Sequence, residues 1–377
     1  SQAADLNFPN QPAISYTGSA NYPANDVRFT TSAFTDPNGN GTFSALQWRL
    51  AEISAPGVPG IIAGDERKYE IESTWQSGDL NTFTPQIQFP VASLKPGSTY
   101  RARVRHKDNT GRYSHWSAPI QFTVTAPDVS VWQNNLMITE IMYHPPAPTA
   151  GEITAGGSSF KDDYEFIELR NISNSLTLDL TELRFTKGAD FDFKNSAITS
   201  LAPGAFVLVV KNLASFQSRY GMDLPVAGVW DATANLSNSG EQIKLSYGAG
   251  VAIHDINPLE ARYDQAPWPT SPDGTGPSLT LKDPFSAPNH DVAANWRASY
   301  INNGSPGTVD NVVTINLANL NHTYDGFSKS ATYTTAPTGV AVALTYNGSA
   351  TAPTDGGSYT VMATSADPLF EGNSSAT

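Results

Sequence analysis

The amino-acid sequence predicts an all-β protein built as three sandwich modules in series, and three observations carry that expectation. Apolar residues recur with a period of two in many short runs, the pattern of half-buried strands. Between the runs lie turn residues: 29 glycines and 27 prolines among 377 residues, a composition that disfavours long helices. The runs also fall into three blocks, 1–127, 128–310 and 311–377, each with its own set of strands. A chain of this length is expected to form about two to four domains, each able to bury a core of its own.

Composition narrows the function classes. The sequence has no cysteine, so it has neither a disulfide framework nor a thiolate metal site, which leaves the compartment open. The net charge of −13 is uneven: ten acidic and ten basic side chains lie in 1–127, 21 against 11 in 128–310, and four against one in 311–377. Such a surface repels phosphate backbones, so no nucleic-acid partner is expected. Divalent cations, neutral glycans and other proteins remain open as partners. No run approaches the ~20 apolar residues of a membrane span. No basic-then-apolar leader opens the chain, so either a signal peptide has been removed or the sequence starts after it.

In the first block, strands are expected at 27–34, 43–53, 68–75, 85–89, 98–106 and 118–124. The most regular is Tyr100-Arg-Ala-Arg-Val-Arg105, which puts Tyr100, Ala102 and Val104 on a core face and Arg101, Arg103 and Arg105 in an outer row. That row reads either as a cation–π ladder against Trp116 or as a solvated polar face. Leu94-x-Pro96-Gly97-x-x-Tyr100 and Gly111…Ser114-x-Trp116-Ser117 resemble a fibronectin type III domain over about 12–125, which implies a binding or spacer module. Asp36-Pro-Asn38-Gly-Asn40-Gly41 matches the first half of a calcium loop, with Asp36, Asn38 and Asn40 as oxygen ligands. The twelfth position is Gln47 instead of glutamate, so a plain Asx-and-glycine turn competes with calcium.

The middle block opens on Leu136–Arg170: two short apolar and β-branched runs around a loop rich in proline and glycine. Further strands are expected at 176–185, 205–211, 242–247 and 278–281, with a short helix over 213–220 capped by Gly221. Ile138-x-Glu140-Ile-Met-Tyr143 with Glu165-Phe-Ile-Glu168-Leu169 resembles the opening strands of lamin-tail domains, immunoglobulin-like sandwiches that also occur in bacterial secreted proteins. Leu201-Ala-Pro-Gly204, Leu236–Gly240, Asn295-Trp-Arg297 and Gly304-Ser-Pro-Gly307 extend that resemblance over about 136–309. It implies a sandwich without catalysis of its own.

Glu140 and Glu168 fall by parity on apolar faces, where a carboxylate must find donors, find a cation or take up a proton. Three readings are open. One is a salt bridge to Arg184 or Arg297, or backbone donors; another is a metal held with Asp162 and Asp163; the third is a catalytic pair. Trp230, Tyr263 and Trp268 stand in long loops and look exposed. They read either as a glycan-stacking platform or as plugs of the sandwich end.

In the last block, Val340, Val342, Leu344 and Tyr346 alternate and lead into Asn347-Gly348, a strong hairpin signal. Tyr324-Asp-Gly326, Leu344-x-Tyr-Asn-Gly348 and Ala352-Pro…Gly356-Gly-Ser-Tyr359-x-Val361 resemble the YDG (MBG) repeats of bacterial surface proteins and adhesins. Such repeats normally carry one more strand beyond the equivalent of Ser375–Thr377, so either the protein continues there or an edge open to homo-association is expected.

The sequence contains no G-x-S-x-G, P-loop, H-E-x-x-H or dinucleotide fingerprint, and its six histidines are scattered, so no enzyme is expected. Together the resemblances imply a secreted or cell-surface structural and adhesion protein that binds glycan or protein through loops of the middle block. The alternatives are the non-catalytic region of a larger secreted enzyme and a self-assembling filament subunit.

Overall fold

The computed structural model describes residues 8–54, 67–230, 234–248, 250–257, 263–310, 313–336, 338–367, 370 and 372–377. It is all-β, with strands in several sheets and a few short helices. Two compact units form, Ser1–Val129 and Ser130–Thr377.

The first unit holds strands β1 (Ile14–Tyr16), β2 (Arg28–Thr31), β3 (Phe43–Ile53), β4 (Trp75–Gln76), β5 (Gln86–Gln88), β6 (Thr99–Asp108) and β7 (Ile120–Thr123). They form a three-stranded sheet, β1-β2-β5, and a four-stranded sheet, β4-β3-β6-β7. Between them Phe29, Trp48, Phe89, Tyr100, Ala102 and Val104 make one buried core, as the parity of β6 requires. The strand expected over 68–75 shrinks to Trp75–Gln76, because Glu70 turns instead to the outer arginines. Arg101 and Arg103 pair with Glu70. Arg105 lies 3.8 Å from the Tyr113 ring centre and 4.5 Å from that of Trp116. The row is therefore an ion-pair cluster at one end and a cation–π stack at the other.

The second unit opens with α1 (Ser130–Asn135), β8 (Leu136–Met142), α2 (Ala150–Thr154), β9 (Phe166–Asn171), β10 (Leu178–Asp179), β11 (Leu183–Lys187) and β12 (Phe191–Asp192). β13 (Ser200–Leu201), β14 (Phe206–Val210), α3 (Leu213–Tyr220), β15 (Val226–Val229), β16 (Ile243–Tyr247) and β17 (Val251–Ile256) follow, then β18 (Pro277–Leu281) and β19 (Trp296–Asn302). The strand expected over 176–185 is two, β10 and β11, broken by a turn in which Asp179 accepts from Thr181.

A six-stranded sheet, β15-β14-β9-β8-β18-β19, and a four-stranded sheet, β12-β11-β16-β17, dominate this part. Ile141, Ile167, Val209 and Leu279 form a fully buried row across the larger sheet, and Phe185 and Leu245 are equally buried on the smaller. His254 of β17 ties the two together by donating from Nε2 to the Leu136 carbonyl at 2.6 Å. Every residue of β8 is buried, so both faces of the larger sheet are covered. α3 covers one end, where Phe216 meets the Phe166 ring edge-on. Asn212 caps that helix by accepting from the Ser215 N–H at 3.1 Å, and Gly221 closes it at φ +90°.

The remaining strands are β20 (Thr314–Ala318), β21 (Thr332–Ala336), β22 (Val342–Tyr346), β23 (Val361–Ser365) and β24 (Asn373–Ala376). β20 pairs with β21, and β22-β23-β24 form a separate sheet. Val313, Ile315, Val340 and Ala363 make one small core, and Ala331, Tyr346 and Val361 another. Asn347-Gly348 does make a tight turn, but only Tyr346 and Ser349 pair across it. After that turn the chain returns as β23, antiparallel to β22.

Candidate functional site

The residues with the most chemistry meet on the outer face of the six-stranded sheet. β8 and β9 pair antiparallel with Glu140 opposite Glu168, so the side chains project together on one face. A bulge at Thr139 breaks the alternation and turns its hydroxyl to the same face, where it donates to Glu168 Oε1 at 2.5 Å. The segment after β19 then closes over the pair. The Ser305 N–H donates to Glu140 Oε1 at 2.8 Å and the Ser305 hydroxyl to Oε2 at 3.1 Å. The Gly307 N–H donates to Glu168 Oε2 at 2.6 Å. From β18, the Ser278 hydroxyl donates to Glu140 Oε1 at 2.5 Å. All four carboxyl oxygens thus receive a donor from the fold. Gly304 makes the close approach possible: at φ +80° it lies so near Glu140 that a Cβ would overlap Oε1.

Burial pushes the Glu140 carboxyl up to about 7, and the hydroxyl and N–H donors only partly offset it. Burial, reinforced by the facing Glu140 charge, holds the Glu168 carboxyl well above the ordinary carboxylate range. Two carboxyls this close cannot both ionise cheaply, so the pair keeps a proton at neutral pH. Of the partners the sequence offers, neither arginine is used. Arg184 reaches Asp190 at 3.6 Å, and Arg297 pairs with Asp310 at 2.5 Å. The partners are backbone N–H groups and hydroxyls.

Glu140 and Glu168 themselves form part of the lining of a cavity of about 360 Å³, together with Arg170, Phe206, Phe285, Arg297 and Asp310. The Arg170 guanidinium sits 4.7 Å from the Phe206 ring centre and 4.8 Å from that of Phe285. Asp162 and Asp163 are not part of this site. They lie in the turn 161–164 before β9, and the Asp162 charge acts on Glu165. Among the described residues no group of three or more histidine, aspartate or glutamate side chains is placed to hold a metal ion.

In the first unit, Asp36 Oδ1 accepts from the Asn38 N–H at 2.7 Å, and Asn40 Oδ1 from the Asp36 N–H at 3.3 Å. This is the geometry of an Asx turn. Gln47 accepts from Arg105 at 2.8 Å and does not face the loop.

The exposure expected of the loop aromatics is corrected. Trp230, Tyr263 and Trp268 are all buried. Trp230 donates to the Ala234 carbonyl at 3.0 Å, Tyr263 packs on Tyr143 with ring centres 4.4 Å apart, and Trp268 packs on Trp296 at 6.3 Å. The loops fold back over the ends of the sandwich and use these rings as plugs.

Three clusters were not anticipated from the sequence. Glu165 is fully buried, with the Leu236 N–H on Oε2 at 2.9 Å, and burial pushes its carboxyl up to about 9. The repeated glutamate in Glu165-Phe-Ile-Glu168 was its only signal: the two carboxylates fall on opposite parities, and here both faces are covered. His254 and His290, 36 residues apart in sequence, stack with ring centres 3.9 Å apart. His144 meets Asp273 at 2.5 Å, with Lys161 on its other ring nitrogen.

Comparison with known families fits this layout. Residues 132–253 match the model of the Lamin Tail Domain, and residues 313–377 match that of the MBG domain. No curated protein matches the chain. The lamin-tail match ends within β17, yet β18 and β19 belong to the same six-stranded sheet. Both matched domains are of non-catalytic types. The chain joins a region similar to lamin tail domains and a region similar to MBG domains in one polypeptide, the make-up of a structural or adhesion-type protein.

Proposed function

We propose that the protein works outside the cell, secreted or at the cell surface, as a non-catalytic adhesive scaffold presenting surfaces to glycan or protein. The observation that carries this reading is the use made of the buried carboxyls. Glu140 and Glu168 have every oxygen engaged by donors of the fold: Ser305 and Gly307 fasten the Gly304–Gly307 segment to the sheet, and Thr139 and Ser278 bond to the pair from within it. Their chemistry is spent on holding a rigid platform. The neighbouring family matches support the same reading, and the first unit, a two-sheet sandwich, fits a spacer or binding module.

A second reading, homo-association through the last domain, is favoured by one feature: β22 is an outer strand of the sheet β22-β23-β24. Light scattering that rises with concentration would support it. The adhesive reading is tested by labelling intact cells that express the full-length gene with an antibody against this chain, and by measuring attachment of beads coated with the purified chain. Surface labelling and specific attachment are expected. Label that enters only after lysis, with no attachment, sinks the proposal.

A further inference from the structure

The loop 319–330 carries the molecule's most conspicuous use of exposed aromatic surface. Tyr324 is 69% exposed and Phe327 74%, only three residues apart. Neither ring is spent on the small cores of this region, which are built from Val313, Ile315, Val340, Ala363, Ala331, Tyr346 and Val361. Exposed rings on a slack loop would collapse onto apolar neighbours, but this loop is held open. Asp325 Oδ1 accepts from the Phe327 N–H at 3.0 Å, Gly326 turns the chain at φ +82°, and Lys329 pairs with Asp325 at 2.5 Å. The Lys329 N–H donates to the Pro353 carbonyl at 2.9 Å, and the Ala331 N–H to the Tyr346 hydroxyl at 2.9 Å. The second of these two bonds ties the end of the loop to β22, and the first fixes the loop against the segment 353–359.

Between the two lies a groove of about 320 Å³ whose walls include Tyr324, Phe327, Asn321, His322, Asp355 and Tyr359. That is the small end of the range for ligand sites, roughly 300–1,000 Å³. Flat aromatic faces next to side-chain amide, imidazole and carboxylate groups suit a ligand with an apolar ring face and a hydroxyl-bearing edge. The surrounding charge narrows the class. Residues 311–377 hold four acidic groups and one basic, and that one, Lys329, is already paired with Asp325. A sulfated or carboxylated chain would meet repulsion there.

We infer that the groove between 319–330 and 353–359 binds a neutral saccharide, stacked on Tyr324 and Phe327, an inference that rests on the adhesive reading above and gives it a site. The test presents the full chain to an immobilised panel of neutral hexose and N-acetylhexosamine oligomers, with sulfated and sialylated oligomers alongside. The variants are Tyr324→Ala and Phe327→Ala, with Phe160→Ala as a control, since Phe160 is equally exposed but lies in the middle domain. The wild type and the control are expected to capture a neutral oligomer with little change between about 50 and 500 mM salt. Each groove variant is expected to bind roughly tenfold more weakly with an unchanged melting temperature. Capture that survives both groove variants overturns the site and leaves the adhesive reading standing. Capture confined to anionic oligomers overturns the ligand class. No saccharide capture, with bead attachment intact, overturns the inference alone; loss of both sinks the inference and the adhesive reading together.

Discussion

Substituting glutamine for Glu168 tests the carboxyl latch directly, because an amide copies the neutral acid but cannot ionise. Burial, and after it the facing Glu140 charge, raise the Glu168 carboxyl and favour its protonated form in the folded chain. Glu168→Gln keeps an oxygen for the Gly307 N–H, and the Thr139 hydroxyl can turn to accept from the new amide, so the cost at pH 6.5 is about 1 kcal/mol. The pH dependence separates the two proteins. A carboxyl whose folded value is raised contributes stability that is fully present below its unfolded value and is lost as pH climbs toward the folded one. For Glu140 that window runs from the ordinary carboxylate value to about 7, and for Glu168 it extends higher.

Wherever in that window the folded pair keeps one proton more than the unfolded chain, stability falls by about 1.4 kcal/mol per pH unit as pH rises. In a unit the size of Ser130–Thr377 each such pH unit corresponds to a fall in melting temperature of roughly 3–6 °C. The buried histidines do not confuse the measurement between pH 6.5 and 8.5, since they are neutral on both sides of unfolding across most of this range. Calorimetry at half-unit steps should show wild type losing ground to Glu168→Gln as pH rises. Parallel curves would mean the pair holds no extra proton, and the account of the latch would fail.

Three further outcomes are expected. His254 and His290 are both pushed below the ordinary imidazole value by burial, so stability of the second unit should fall as pH drops from 6.5 toward 4; replacing His290 by leucine should soften that acid limb in equilibrium unfolding while costing about 1–3 kcal/mol at pH 7, because the Ile138 N–H loses its acceptor. Arg219 is nearly inaccessible, pairs with Glu152 at 2.7 Å and lies 4.0 Å from the Tyr164 ring centre, so Glu152→Ala should cost about 3–5 kcal/mol in urea unfolding by stranding its charge. Trp268→Ala should cost about 3–5 kcal/mol by opening a core cavity, yet leave saccharide capture by the folded fraction unchanged, because this ring is a plug.

How far the sequence could be read depended on how local the determining contacts were. Period two placed Tyr100, Ala102 and Val104 inside and the arginines outside, since strand parity needs no partner to be known. Glu140 and Glu168 stood out for the same reason: a carboxylate in an apolar run is a local anomaly. Their partners could not be read, because Ser305 and Gly307 lie 165 and 139 residues away from the oxygens they serve. Gly304-Ser-Pro-Gly307 was visible as a motif, but its purpose was not. Trp230 and Trp268 misled because they sit in loops, and only the tertiary path shows those loops folding over the sandwich ends. The Asn347-Gly348 signal did specify its turn, after which the chain returns as β23 to pair with β22.

The latch also governs how this domain can come into being. Ser305 and Gly307 donate to three of the pair's four oxygens but lie far along the chain from β8 and β9, so a hairpin of these two strands alone keeps only Thr139 as a donor to its facing acids. A fragment cut at the end of the lamin-tail match would lack β18, β19, Ser305 and Gly307, and is expected to be less soluble than the full chain.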